Sequence, residues 1–280
     1  DKIRFRQGYP EKIGGWTPIN ITSYVGDVSS IIQYGTTDSN EIISIATDEK
    51  NYVLIGTELT DITPLRITYI TSTTPSTDNC FKTTDESTTV TVTLTGHGGS
   101  DGDYVTFSGS AAVGGVIAAN LNTEFKISNV ANNTFDITVA AAATSTVAAG
   151  GGTSIVAAFQ YPVGSSTITF GYGWSAGTWN RSTWGSSAST PVVIPARLTF
   201  QDKFNNDVIY NIQDSDIFYW EYDSGLSNRA VKLNTLVNSR AVPEQVGKVM
   251  FAASGHLLAL SCTSYGRSTT AGQSISSITR

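Results

Sequence analysis

The stretch that decides the fold is Asp207–Asn234, DVIYNIQDSDIFYWEYDSGLSNRAVKLN. It reads as three strands in succession: Val208 to Gln213, Ile217 to Tyr222 and Arg229 to Leu233. Asp214-Ser215-Asp216 and Asp223-Ser224-Gly225 separate them. Runs of Val, Ile, Phe, Tyr and Trp bounded by Asp, Ser and Gly are the signature of strands and tight turns. An earlier copy lies at Glu41–Pro64, EIISIATDEKNYVLIGTELTDITP, with strands at Ile42 to Thr47, Asn51 to Ile55 and Leu59 to Thr63. Both copies share an apolar strand ending in Asp, a few polar residues, then an aromatic strand. Val28 to Tyr34 adds a fourth strand before the first copy. A repeated antiparallel meander is the unit of a β-propeller blade, and each unit needs a neighbour to cover its apolar face. The plainer reading is that any all-β protein contains two meanders that look alike.

Between the two copies the texture changes. After a Ser/Thr/Pro linker at Thr71 to Asp78, the run from Ser87 alternates with period two. Val90, Val92 and Leu94 fall on one face and threonines on the other. Further strands are expected at Tyr104 to Phe107, Phe125 to Val130 and Thr134 to Val139, so residues 87–140 hold about four to six short strands. That size suits a small SH3-like barrel. The low-complexity Ala140–Gly152 reads as a return strand with a flexible exit, because Thr, Val and three glycines oppose the helical preference of alanine. Two more strands are expected between Gln245 and Cys262. The fold class is therefore all-β: an incomplete, propeller-like main domain with an inserted small β-barrel. The division expected is 1–70 for the first propeller-like part, 71–160 for the inserted barrel and 161–280 for the second part. The strand-like start at Asp1 and the Ser/Thr/Gly-rich end suggest a segment of a longer polypeptide.

Composition narrows the function classes. Of 280 residues 40% are hydrophobic, enough for a substantial core, but only 14% are charged, against about 25% in an average soluble domain. Ser, Thr, Gly and Asn fill the difference, as in β-rich proteins that work by assembly. The net charge is -6, and no stretch concentrates Lys and Arg, so nothing marks a surface that grips nucleic acid. No apolar run approaches the roughly 20 residues a membrane helix needs. Cys80 and Cys262 lack metal-ligand spacing; two free thiols are the expectation, with a disulfide between them the alternative.

Candidate chemistry is thin. His97 lies in GHGGSDGD with Asp101 and Asp103, but the loop lacks calcium-loop spacing and one His with two Asp is a poor ligand set. A polar hairpin turn is the expectation there, as it is for His256. No serine occupies a nucleophile elbow, and the triple glycine is not followed by Lys-Thr and a helix. Asp214/Asp216 and Glu221/Asp223 sit at turns, where Asp bonds the backbone. No catalytic, metal or cofactor-binding residue is assigned. The feature most open to a function is GYGWSAGTWNRSTWG (Gly171 to Gly185), with Trp174, Trp179 and Trp184 recurring every fifth residue. That spacing fits neither a strand face nor a helix face. These tryptophans are the candidate interface residues. The readings open for them are packing within the chain, contact between subunits, and sugar stacking.

Several phrases in order resemble the tail nozzle or hub proteins of short-tailed bacteriophages. They are GYPEKIGGW (Gly8 to Trp16), IATDEKNYVLIGTELTDITPLR (Ile45 to Arg66), GWSAGTWNRSTWG (Gly173 to Gly185) and DIFYWEYDSGLSNRAVKL (Asp216 to Leu233). The inserted TLTGHGGSDGDYVTFSG…FKISNVANNTFDIT is similar to small β-barrel modules of phage structural proteins. None of the phrases is a catalytic motif. The resemblance implies a structural virion subunit of a six-fold homo-oligomeric ring below the portal and adaptor proteins. Such a ring lines the channel through which genomic DNA leaves and docks tail fibres or spikes. An acidic, Lys/Arg-poor chain agrees with a conduit, since neutralising phosphates is what creates binding to DNA. The alternative is a carbohydrate-binding, receptor-binding tail protein whose tryptophans stack on sugar, and a polysaccharide hydrolase is the third reading.

Overall fold

The computed structural model describes residues 3–12, 23–70, 76–163, 196–236, 246–253 and 256–262. Among them the chain is almost entirely antiparallel β. Helix is confined to a four-residue turn, α1 (Ala118–Leu121), and a 3-10 turn at Leu233–Thr235. A short hairpin, β1 (Ile3–Arg6) and β2 (Tyr9–Lys12), comes first.

The first meander is β3 (Val28–Gly35), β4 (Glu41–Thr47), β5 (Asn51–Ile55) and β6 (Glu58–Asp61), hydrogen-bonded in sequence order. Its first strand is threaded across the β4–β5 turn: Asp27 N–H donates to Asp48 Oδ1 at 2.7 Å, and Thr47 Oγ1 donates to Val25 O at 2.8 Å. Gly26 makes this crossing possible. It has a φ of +88°, and a Cβ there would stand 2.5 Å from Asp48 Oδ1, so only glycine fits.

The second meander is the stretch read first, followed after a gap by one further sheet. Eight described strands lie between the two meanders. They are β7 (Leu65–Tyr69), β8 (Phe81–Thr83), β9 (Thr89–Thr93), β10 (Tyr104–Ser108), β11 (Glu124–Lys126), β12 (Thr134–Thr138), β13 (Val147–Gly150) and β14 (Val156–Gln160). The second meander is then β15 (Thr199–Phe204), β16 (Asp207–Ile212), β17 (Ile217–Trp220) and β18 (Val231–Lys232), again in sequence order. The last sheet is the hairpin β19 (Val246–Ala253) and β20 (His256–Cys262).

Every residue of β16 and β17 is buried. Antiparallel sheets commonly leave one face to water; this one is covered on both. Val208, Tyr210, Ile212, Phe218 and Trp220 pack with Tyr34, Ile42, Val53 and Ile62 of the first meander region. On the opposite face Ile209, Ile217 and Tyr219 pack with Phe204, Leu233 and, from β20, Leu257 and Ala259. The three sheets therefore stack face to face in sequence order, the arrangement of successive propeller blades. Polar groups fix their register. Gln201 accepts from Ser44 Oγ at 2.7 Å and donates to Ser30 Oγ at 3.1 Å. Asn206 accepts from Thr37 N–H at 2.9 Å and donates to Thr37 Oγ1 at 2.8 Å, while Tyr34 donates to Asn206 O at 3.0 Å.

The run between the meanders forms two four-stranded sheets, ordered β11-β10-β14-β7 and β12-β9-β8-β13. Val90, Val92 and Leu94 all point into their shared core, as the alternation required, alongside Phe81, Phe107, Phe135 and Phe159. An SH3-like barrel was expected here. The sheets instead remain distinct, joined by the single bridge Ser128↔Asp136, and no continuous ladder closes them among the described residues. The physical reason lies at the β11–β12 seam, where only Ser128 and Asp136 exchange backbone hydrogen bonds and the ladder does not continue. β7 enters this unit and β14 leaves it, and the two are antiparallel neighbours.

Tyr210 tests the core. It is 1% exposed, and its hydroxyl has no hydrogen-bond partner among the described residues. Tyr210→Phe removes that buried unpaired group and should raise the urea midpoint, by about 1 kcal/mol. Tyr210→Ala opens a cavity and should cost about 3–5 kcal/mol. Equilibrium urea unfolding followed by tryptophan fluorescence measures both.

Candidate functional site

The sequence-predicted candidates separate sharply. Trp174, Trp179 and Trp184 lie outside the described residues. His97 is not a surface turn residue but a core one, 1% exposed. Its Nδ1 accepts from Gly99 N–H at 3.0 Å, so the proton sits on Nε2, which donates to Ala131 O at 2.9 Å. Its ring packs against Phe135 and Phe159 at centroid distances of 4.9 and 6.0 Å. Both nitrogens are thus engaged by backbone. Asp103 accepts from Ser100 N–H and ties down the loop's own backbone, while Asp101 accepts from Val130 N–H and ties the loop to the segment before β12. Burial pushes Asp103 above the ordinary aspartate value, against the Ser100 hydrogen bond and the nearby Arg66 and His97. Among the described residues no three His, Cys, Asp or Glu side chains gather as a metal-ligand set. Cys80 is a buried free thiol, its pKa pushed by burial up to about 12. Asp216 of the turn pairs with Lys232 at 2.7 Å.

The arrangement that does bring distant parts of the chain together is a charge network that sequence reasoning missed. Lys50 ends the β4–β5 turn, and its N–H donates to Thr47 Oγ1 at 2.8 Å. Its side chain is 5% exposed and reaches Asp61 Oδ2 at 3.0 Å and the Glu124 carboxylate. Asp61 closes β6 and also accepts from Thr63 N–H at 2.8 Å. Glu124 opens β11 of the intervening unit and accepts a hydrogen bond from Gln160 Nε2, at the end of β14. Arg229, just before β18, donates to Thr63 O at 2.8 Å and stands 3.4 Å from Asp61 and 3.9 Å from Glu124. Two cations thus face two carboxylates, drawn from the first meander, the intervening unit and the second meander.

An outer layer continues it. Lys50 Nζ lies 4.6 Å from the centre of the Tyr104 ring, a cation–π contact. The Tyr104 hydroxyl donates to Glu49, whose other oxygen pairs with Lys126 at 2.7 Å. Burial pulls the Lys50 pKa down, but the charge of Asp61 and the bond and charge of Glu124 win and hold it above the ordinary lysine value. Burial pushes Glu49 up, yet its bonds to Lys126 and Tyr104 win and hold it below the ordinary glutamate value. Burial and the adjacent Glu49 drive Tyr104 upward. The network's chemistry is mutual neutralisation of buried charge; it holds three parts of the chain in one geometry.

No family model matches the chain, and no curated protein matches it. A solved structure to which it is similar is the phage phi92 endosialidase, at 15% identity and a TM-score of 0.24, over 79% of this chain and 31% of that one. The chain spans less than a third of that protein's length.

Removing one partner of a buried pair leaves an uncompensated charge. Lys50→Met should therefore cost about 3 kcal/mol in urea unfolding, whereas Lys126→Met, at a side chain 49% exposed, should cost under about 1 kcal/mol. Because the folded Lys50 pKa is raised, its contribution is complete below the ordinary lysine value of about 10.4 and is lost as pH rises through the folded value. Between pH 10 and 12 the wild-type midpoint should fall more steeply than that of Lys50→Met; equal slopes would refute the assignment.

Proposed function

We propose that this chain is a structural subunit of a phage virion tail, part of the nozzle or hub ring. On this reading it assembles with copies of itself into a ring, meets the portal and adaptor proteins on one side and fibres or spikes on the other, and lets genomic DNA pass without sequence-specific binding. It acts by assembly rather than by catalysis. Residues 1–70 and 161–280 build the propeller-like part and 71–160 the inserted module, with β7 serving as the module's entering strand.

The observation that carries this reading is the three-sheet stack. A middle meander buried on both faces, with each sheet covering the next, is the working principle of a propeller. It has no need of a cleft or a nucleophile. The phrase order quoted above supplies the tail assignment, and the net charge of -6 suits a wall along which phosphate slides rather than sticks. Trp174, Trp179 and Trp184 are proposed as the contact between subunits, where tryptophan is enriched.

Native mass spectrometry of the full-length protein, with two-dimensional class averages, tests this. The expected result is a closed ring of about six copies with a central hole, converted to folded monomer by Trp179→Ala. A trimer would sink the nozzle assignment and point to a fibre or spike. Glycan binding abolished by Trp179→Ala would replace it with the receptor-binding reading.

A further inference from the structure

Two observations about the inserted module belong together. Its buried cluster, from Tyr69 to Phe159, shares no residue with the cluster formed by the two meanders. Its covalent connection is a two-strand neck, where Tyr161 N–H donates to Pro64 O at 2.9 Å beside the β7–β14 pair. A unit with its own core on a narrow neck is free to pivot unless something else holds it. The side chains that bridge it to the meanders are polar. Glu124 binds Lys50 and faces Arg229, Lys126 binds Glu49, and Tyr104 covers Lys50 and donates to Glu49.

We infer that this charge network is a latch: it fixes the orientation of the inserted module on the meanders, and its release lets the module pivot as a body about the Pro64/Tyr161 neck without unfolding. Glu124 is the bolt. It is the carboxylate that the module contributes to the two meander cations, and Asp61 alone is left to neutralise both when Glu124 loses its charge. The groups facing it are Lys50, Arg229, Asp61 and Gln160, with Glu49, Lys126, Tyr104 and Tyr52 around them. Arg229 ties the latch to the second meander as well as the first, so release frees the module from both at once. The inference rests on the division into meanders and module and stands independently of the ring assignment.

The test measures distance between spin labels on non-natural residues at Glu58, the first residue of β6, and Ala119, in α1, both exposed. It is run in the full chain by pulsed electron resonance. Hydrogen exchange of β9 and β10 is followed in parallel. The expected wild-type result at neutral pH is one narrow distance distribution. Glu124→Gln should at least double its width. Protection of β9 and β10 should persist in that variant. Lys82→Met, exposed on β8 and outside the network, should leave the width unchanged. A distribution that stays narrow in Glu124→Gln overturns the latch. Loss of β9 and β10 protection together with the broadening also overturns it, because the network would then be part of the module's folding rather than of its orientation.

Discussion

The double burial of β16 and β17 is the constraint on which the rest of the structure depends. A strand pair with apolar side chains on both faces cannot exist at the surface, so it demands a sheet on either side. The first meander supplies one cover through Ile42 and Val53, and β20 supplies the other through Leu257 and Ala259. Each large side chain buried there is worth about 1.5–3 kcal/mol, so Tyr210, Phe218 and Trp220 set the stack before any polar contact acts. The Gln201 and Asn206 hydrogen bonds then choose among sliding registers that the apolar faces alone would tolerate. Stability and specificity thus come from different residues of the same interface.

The stack also explains how an insertion is tolerated within it. The chain leaves the first meander at Pro64 and returns at Tyr161, and these backbones are hydrogen-bonded to each other. For the meanders, the entire run between them is equivalent to a short loop whose ends already touch. Closing such a loop costs entropy that grows slowly with its length, and the module offsets that cost with a core of its own. Phe81, Phe107, Phe135 and Phe159 pack ring against ring inside it, and His97 joins them because both its nitrogens find backbone partners.

Much of the fold was legible because it was written in local pattern. Ile217-Phe218-Tyr219-Trp220 is apolar at consecutive positions, which is the mark of a strand buried on both faces, and Val90/Val92/Leu94 alternate as a half-buried strand should. What could not be read was any property set by pairing between distant segments. Asp61, Glu124 and Arg229 each look like ordinary solvated charges, and Lys50 sits in a Asp-Glu-Lys turn of the kind normally exposed. Lys50 meets Asp61 within the first meander, and only the folding of the module and the second meander onto it brings Glu124 and Arg229 within 4 Å of them. His97 misled for a related reason. A Gly-rich, Asp-containing loop predicts a turn, and a turn it is, but the direction in which its side chain points depends on Phe135 and Phe159. The barrel expectation failed on the pairing between β11 and β12, which alternation does not report.

A polar junction between the module and the meanders follows from the order in which the chain is made. Lys50 and Asp61 are in place when the first meander forms, and they already neutralise each other. The module brings Glu124 next, and Arg229 arrives last with the second meander. At every intermediate stage the unfinished junction presents charges that water solvates well, rather than an apolar surface that would wait exposed for its partner and invite association. An apolar seam would match or exceed the finished network in stability. The ionic one trades some of that for a junction whose incomplete forms remain soluble and whose geometry depends on four charges meeting at once.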